Sequence, residues 1–314
     1  MTAIWKQFGK TCDGMKTNLM KFCIRSLLLF LLVCDSAGGE QISIGTHNCY
    51  WYFGQEDSNN KADKPHDPQE YELKAGHLIG LLPQDTPLFL GLQEIGCNEE
   101  IQAIARSAQA RYKHHYEPLF VKGRDSATGQ NVGAILDTSK GWGVYGRPSR
   151  VSDLEHELSK HLVVRLTNAT TTLDVCVVHL RRPMGNDGVE KQVEQNRALM
   201  RWAMGHLAKN PKANVVILGD FNEAKHVGDP NQALAVIFKS QPPMFDALST
   251  LTGKVKTHTD GKAYDRIIVS DAVEKGLTGL KLDGVEIQSH RHGKGEERRL
   301  YTDHFPVVAV FNVK

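Results

Sequence analysis

Four apolar runs in this chain stop abruptly at a polar residue, and that pattern narrows the folds open to it. Ile42–Asn48 reads ISIGTHN, Leu88–Glu94 reads LFLGLQE, Leu173–His179 reads LDVCVVH, and Val215–Asn222 reads VVILGDFN. Short, nearly continuous apolar runs are the mark of strands covered on both faces. Further β-rich runs occur at Asn131–Leu136, Leu162–Thr167, Tyr264–Val269 and Val307–Phe311. Helical spacing falls between some of them. Val189, Val193, Met200, Met204 and Leu207 recur at three, four or seven residues, with Glu190, Lys191, Glu194 and Arg201 on other faces, so a helix is predicted over 188–208. A second helix is predicted near 98–110. Strands mixed with outer helices make an α/β protein, although pattern alone does not say how the sheets pack.

The composition supports a packed core, with 40% of residues hydrophobic and 24% charged, which excludes disorder. Residues 1–39 carry five basic and two acidic side chains of a chain whose net charge is +2; the other 33 basic and 34 acidic residues leave −1. A chain this close to neutral has no global field with which to hold nucleic acid by charge alone. Any anionic substrate is therefore held by a local site, a metal or both.

Ser26–Val33 reads SLLLFLLV, preceded by Met20, Lys21 and Arg25 and followed by Ser36, Ala37, Gly38 and Gly39. A basic segment, an apolar stretch too short to span a bilayer and then small residues form the pattern of a secretory signal peptide starting near Met20. The competing readings are a buried helix and a lipoprotein signal ending at Cys34, the latter disfavoured by Val33. Residues 1–39 are thus expected to be a leader and 40–314 one domain, secreted or periplasmic, with no transmembrane segment in the mature chain. Three of the six cysteines fall in the leader, leaving Cys49, Cys97 and Cys176. That odd set has no zinc-site spacing and demands no disulfide.

In α/β folds, ligands sit beyond the ends of strands. Metal and phosphate chemistry needs hard oxygen ligands, acid–base groups and imidazoles brought to one place. A lone polar residue at a strand end is more often a turn or cap. Here Asn48, Glu94, His179 and Asp220 with Asn222 end four runs, and Asp303-His304 directly precedes a fifth. The segments LQE, VVHL, LGDFNE, AYDRIIVS and TDHFPV resemble, in order and rough spacing, the endonuclease/exonuclease/phosphatase superfamily. The match runs from Ile42 to Phe311, and AYDRIIVS followed by TDHFPV is most similar to the deoxyribonuclease I-like branch.

The resemblance implies a four-layer sandwich, two packed mixed sheets flanked by helices. It implies hydrolysis of a phosphoester by in-line attack of water, with Mg²⁺ or Mn²⁺ as cofactor. Glu94, Asp303 and Asn48 take the places of metal-side residues, and His179 that of a histidine contacting the scissile phosphate. Asp220 and Asn222 match the pair that handles water and phosphate, with Gly219 permitting close backbone approach. Asp265 matches the aspartate that orients the catalytic histidine, here His304. Whether Asp220 or His304 takes the water proton stays open. In GRDSATGQNVGAIL, Asn131 stands where a tyrosine or glutamate is usual, and it can bind a phosphate but not ionise. Arg124 is a second candidate for substrate phosphate. Asn48 is followed by Cys-Tyr rather than by the usual apolar residue. The basic run His290–Arg299 reads either as a nucleic-acid backbone contact or as a solvated loop.

A nucleic-acid phosphodiester is the expected substrate, and no stable protein partner is implied. The rivals are a sphingomyelinase-like or small-molecule phosphoesterase on the same fold and a binding module without chemistry. No hydrophobic membrane-contacting loop is evident, which tilts the choice from the first toward nucleic acid, and the full set of motif residues argues against the second. The leader generates a test. Mass spectrometry of the protein made by its native host should find a chain lacking about the first 39 residues; an intact N-terminus in the cytosol would contradict export.

Overall fold

Among the described residues, two six-stranded sheets face each other in the computed structural model, which describes residues 40–53, 67–85, 87–151, 154, 156–185, 187–223, 234–290 and 300–314. The leader and the run 291–299 lie outside the described residues. The first sheet has the order β11-β12-β1-β2-β4-β3. Its strands are β1 (Glu40–Tyr52), β2 (Phe89–Ile95), β3 (Tyr116–Phe120), β4 (Asn131–Asp137), β11 (Leu280–Ile287) and β12 (Val307–Val313). The second has the order β5-β6-β7-β8-β10-β9. Its strands are β5 (Gly143–Val144), β6 (His161–Thr167), β7 (Thr172–His179), β8 (Asn214–Asp220), β9 (Met244–Asp246) and β10 (Asp265–Ser270).

Each sheet contains one parallel pair, β1–β2 and β7–β8, among antiparallel neighbours. Parallel neighbours need a crossover. The first spans α1 (Pro68–Gly80), and the second is α3 (Gly188–Lys209). Helix α2 (Asn98–Tyr112) joins α1 on the outside of the first sheet, packing Leu78, Ile79, Ile101 and Ile104 against Leu90, Leu92 and Ile135. Leu199, Trp202, Ala203 and Leu207 of α3 cover Cys176, Val178 and Ile217 on the outside of the second. Between the sheets, Ile42, Ile44, Phe89 and Leu136 meet Val164, Val175, Val177, Leu218 and Ile267. The layers are therefore helix, sheet, sheet, helix, as the motifs imply.

The predicted strands and both predicted helices are present. Val189 is the exception within its helix: it is 54% exposed. The face of α3 turned to the sheet carries Gln192, Gln195 and Asn196 beside Leu199 and Ala203, so polar residues take places that an apolar stripe would have held. Helix α1 has no counterpart among the sequence-based expectations, although Asp67 and Glu70 carry its capping box: Asp67 accepts from the backbone of Gln69 and Glu70, and Glu70 from that of Asp67. Cys49, Cys97 and Cys176 are all free thiols. No helix among the described residues is long and apolar enough to cross a membrane.

Gly91 of β2 shows how closely the sheets approach. A Cβ there would lie 2.3 Å from Leu218 Cδ1 and 3.0 Å from Val177 Cγ1 on the facing sheet. Overpacking of this kind costs about 1–3 kcal/mol. Gly91→Ala should lower the stability read from urea unfolding by about that amount; an unchanged midpoint would show that the sheets separate freely.

Candidate active site

The end of the sandwich at which the parallel strands finish brings the polar strand ends together. In the second sheet, pairing aligns His179 of β7 with Asp220 of β8, and Asp220 with Asp265 of β10. Three strands thus set His179, Asp220 and Asp265 in one transverse row. Gly219 makes the row close: its φ is +142°, and a Cβ would stand 1.9 Å from the Val178 carbonyl oxygen. Only glycine fits there.

The first sheet meets this row through two matched bulges. Asn48 pairs with Gln93 and Tyr52 with Ile95, so three residues of β1 face one of β2. Tyr50, Trp51 and Glu94 take positive φ values of 51°, 50° and 58°. Bulges re-aim side chains, and residues other than glycine occupy this region only when their surroundings impose it. Here the Trp51 N–H donates to Glu94 Oε2 at 3.0 Å, the Tyr50 N–H donates to Asn48 Oδ1 at 3.0 Å, and the buried Lys74 ammonium donates to the Tyr50 carbonyl at 2.6 Å.

Asn48 joins the two sheets. Its Nδ2 donates to Glu94 Oε1 at 3.2 Å and to Asp220 Oδ2 at 3.0 Å. With Oδ1 held by Tyr50, Asn48 spaces the two carboxylates apart. Thr302, fully buried, donates to the Asn48 carbonyl at 2.7 Å and accepts from the His304 N–H at 3.0 Å, which ties the C-terminal motif to the first one. His304 Nδ1 lies 2.8 Å from Asp265 Oδ2, and its Nε2 is 3.8 Å from Asp220 Oδ2 and 3.9 Å from Asp303 Oδ1. His179 Nε2 stands 3.7 Å from Glu94 Oε1 and 3.6 Å from Asp220 Oδ2. Asn222, at φ 52°, turns its N–H back to Asp220 Oδ1 at 2.7 Å and donates from its amide to the Leu180 carbonyl at 2.9 Å.

Burial gives the same residue types opposite characters. The Asp220 carboxyl is pushed up to about 6, first by burial and further by Asp265 and Glu94, against the opposing pull of His304. Burial disfavours charging His304 too, but Asp265, Asp220 and Asp303 prevail and raise its pKa to about 10. At His179 the neighbouring Glu94 and Asp220 carboxylates do not prevail. Burial, then Lys160 and His304, hold it well below its usual 6.5, and it stays neutral. A neutral ring still offers one N–H to a substrate oxygen.

The acidic and imidazole groups form overlapping sets. Glu94, His179 and Asp220 converge in one, His258, Asp303 and His304 in another, and Asp220, Asp265 and His304 in a third. Glu94 and Asp303 therefore belong to different groups, with Asp220 and His304 between them. A cavity of about 1020 Å³ opens over them, lined also by Trp51, Lys160, Arg181, Arg182 and Tyr264.

No family model matches this sequence, and no curated protein sequence does. Solved structures match over most of its length. A Bacteroides vulgatus endonuclease/exonuclease/phosphatase is 15% identical, with a TM-score of 0.57 over 88% of this chain and 100% of that one. A Bacteroides thetaiotaomicron mannosyl-6-phosphatase is 13% identical, with a TM-score of 0.58 over 86% and 99%. D. rerio TDP2 complexed with a single-strand DNA product is 15% identical, with a TM-score of 0.57 over 87% and 100%. The fold is that of the endonuclease/exonuclease/phosphatase proteins.

Within this endonuclease/exonuclease/phosphatase fold, the structure gathers Asn48, Glu94, His179, Asp220, Asn222, Asp265, Asp303 and His304. It does not bring Asn131 or Arg124 to them. Asn131 is 3% exposed and spent on the backbone: its Oδ1 accepts from Gly123 N–H at 2.6 Å, and its Nδ2 donates to the carbonyls of Gly96 and Gly129. The side chain of Arg124 is exposed, and the residue does not line the cavity. Lys160 is one of the cations that do, with Arg181, Arg182 and Lys191. It sits beside His179 across the β6–β7 pairing, 3.2 Å from Gln130 Oε1 and 3.5 Å from Asp125 Oδ2. Gln192 and Gln195 hold the loop after His179 by its backbone, at Arg181. His258 is the other residue that sequence pattern did not reveal, since only the bridge pairing it with His304 brings it to the site.

The His304–Asp265 pair has a measurable signature. A histidine raised in the folded state stabilises fully below its unfolded pKa of about 6.5, and that contribution is lost as pH rises through about 10. Ring NMR should find His304 protonated throughout neutral pH, and Asp265→Asn should move its titration downward. An unmoved titration in that variant would remove Asp265 as the cause.

Proposed function

We propose that this protein is a divalent-metal-dependent phosphoester hydrolase acting on nucleic-acid phosphodiesters outside the cytosol. The observation that carries the hydrolase reading is the buried row His179–Asp220–Asp265 meeting Glu94, Asn48 and His304 at a single cavity. Support for export comes from the leader alone.

The donor set suits a hard cation. Glu94 and Asp220 offer carboxylate oxygens from different sheets, and Asp303 Oδ1 is buried with no hydrogen-bond partner. Mg²⁺ and Mn²⁺ take such oxygens and usually keep several waters. Glu94 would hold the ion, with Asp303 facing it and Asn48 fixing Glu94. A bound ion supplies neutralisation of charge growing on the phosphoryl oxygens.

The remaining work falls to the chain's own groups. Asp220, aimed into the cavity and fixed through Oδ1 by the Asn222 N–H, accepts the proton of the attacking water. His304, turned by Asp265 so that Nε2 faces the cavity, gives its proton to the leaving oxygen. His179 donates its N–H to a non-bridging oxygen, and the Lys160 ammonium beside it balances negative charge. Arg181 and Arg182 on the cavity wall extend that attraction along a polyanion. The DNA product held by the similar TDP2 favours a nucleic-acid substrate. A second reading, a small phosphoester, has its own support: the chain after the leader is nearly neutral, and a mannosyl-6-phosphatase shares the fold.

Plasmid DNA, RNA, sphingomyelin, inositol phosphates and mannose 6-phosphate, each assayed with Mg²⁺ and with EDTA, decide between them. Cleavage of DNA or RNA that stops with EDTA is expected; full activity in the stripped protein would sink the metal dependence. His304→Ala and Asp220→Ala should each lower kcat about 10²–10⁴-fold. The Asp265→Ala/His304→Ala double variant should be scarcely worse than His304→Ala, because groups acting as a unit are non-additive. Near-normal turnover without His304 would remove that histidine from the mechanism, and no turnover on any of these substrates would favour the binding-module reading.

A further inference from the structure

His258 gives the cavity a second set of donors, of a different kind from the oxygens around Glu94. Its Nε2 lies 3.3 Å from Asp303 Oδ2, while His304 Nε2 lies 3.9 Å from Asp303 Oδ1. One ligand atom from each of the three residues falls within 4.8 Å of the others. Each imidazole has a carboxylate near Nδ1: His258 Nδ1 is 2.9 Å from Asp260 Oδ1 while also accepting from the Asp260 N–H, and His304 Nδ1 is 2.8 Å from Asp265 Oδ2. A carboxylate on Nδ1 with Nε2 turned inward is the arrangement of metal-ligating histidines, because it fixes the tautomer and raises the basicity of the free nitrogen.

Two further observations point to a ligand. Asp303 Oδ1 is buried without a hydrogen-bond partner, which is costly unless something binds there. The backbone holding the three residues is also braced on both sides. Thr259 N–H donates to the Asp303 carbonyl at 2.9 Å, and Phe305 N–H to that of Thr257 at 2.7 Å, around the bridge between His258 and His304.

We propose that His258, Asp303 and His304 form a site for a borderline transition-metal ion of the Zn²⁺ type, which shares Asp303 with the oxygen-lined position at Glu94. Two imidazole nitrogens and one carboxylate select Zn²⁺, Co²⁺ or Ni²⁺ over Mg²⁺. Tetrahedral Zn–N bonds of about 2.0–2.1 Å set donors about 3.3 Å apart, so a set lying within 4.8 Å contracts by up to about 1.5 Å on binding. The Asp260 N–H also lies 3.0 Å from His258 Nδ1. An ion on Nε2 places the ring proton on Nδ1, and the hydrogen bond then goes to the Asp260 carboxylate instead. An ion on His304 Nε2 would displace the proton held there to solvent and so withdraw that nitrogen from proton transfer. Zn²⁺ therefore blocks turnover that Mg²⁺ supports, a consequence that rests on the hydrolase reading above, whereas binding itself does not.

The test uses the metal-stripped full chain and Co²⁺ as a visible probe, without substrate. Co²⁺ should give d–d bands that Zn²⁺ displaces and excess Mg²⁺ does not. His258→Gln should abolish the bands, and Asp260→Asn, which keeps all three ligands, should weaken Zn²⁺ binding about 10–100-fold by calorimetry. Glu94→Gln should leave both readouts unchanged. Thermal melts establish that each variant is folded, and Asp260→Asn carries the test if His258→Gln is not. Wild-type Zn²⁺ affinity in folded His258→Gln or Asp260→Asn would overturn the proposal, as would loss of binding confined to Glu94→Gln. Should no phosphoester be hydrolysed at all, the titrations still decide the site. Where activity is found, Zn²⁺ added over saturating Mg²⁺ should inhibit the wild type and spare His258→Gln.

Discussion

The site depends on one costly act, the burial of the Asp220 carboxylate. It is 1% exposed at the end of a central strand, and an unpaired charge in that position would be prohibitive. Every neighbouring element contributes to offsetting the cost. The first sheet supplies the Asn48 amide, the turn after β8 supplies the Asn222 N–H, and the C-terminal motif supplies the charged ring of His304. These donors come from segments as far apart as Asn48 and His304, so the carboxylate is comfortable only when both sheets are in register. Strand order does the rest. Because β8 lies between β7 and β10, a residue at its end has His179 on one side and Asp265 on the other.

Backbone strain is placed where it aims side chains. Four of the five non-glycine residues with positive φ among the described residues, Tyr50, Trp51, Glu94 and Asn222, line the cavity. Each such residue costs about 1–3 kcal/mol unless its surroundings fix it. The surroundings here are specific: the Trp51 N–H held by Glu94, the Tyr50 carbonyl held by fully buried Lys74, and the Asn222 N–H held by Asp220. The departure Cys49-Tyr50 after Asn48 thereby acquires a physical meaning. The aromatic pair occupies a bulge that turns the strand's backbone donors toward the glutamate, and Lys74 lies 5.7 Å from the ring centroids of both Tyr50 and Tyr52.

The strand-end residues were legible because they follow from local rules, whereas the layering was implied only by the resemblance that the motifs carry. An apolar run of strand length that ends in a lone carboxylate or imidazole is visible in the chain itself, and Asp220, His179 and Glu94 were found that way. Residues placed by register between distant segments were not legible. Lys160 comes to His179 only through the β6–β7 pairing, and His258 reaches His304 only through one bridge. Asn131 misled for the opposite reason. Its position in the chain matches a reactive residue, yet the backbone groups of Gly96, Gly123 and Gly129 consume both ends of its amide. On α3, periodicity favoured Val189 over Gln192 and Gln195. The glutamines are the buried ones, because the loop after His179 offers them backbone partners that no sequence pattern records.

The two histidines show how the scaffold gives direction to the proposed reaction. Both rings are nearly buried, and burial alone would leave both neutral. His304 faces three carboxylates from separate segments and is held charged, whereas His179 faces Lys160 and the charged His304 and is held neutral. Asp220 lies within 3.8 Å of both rings. Its carboxyl, raised to about 6, stays ionised at neutral pH while remaining basic enough to take a proton. A charged donor on one side, a neutral hydrogen-bond donor on the other and a weakly acidic carboxyl between them form an asymmetric set. Groups whose environments push their protonation apart in this way divide acid and base roles between them. The asymmetry originates in the placement of Asp265 one strand beyond Asp220, since that carboxylate charges His304 and lies across Asp220 from His179.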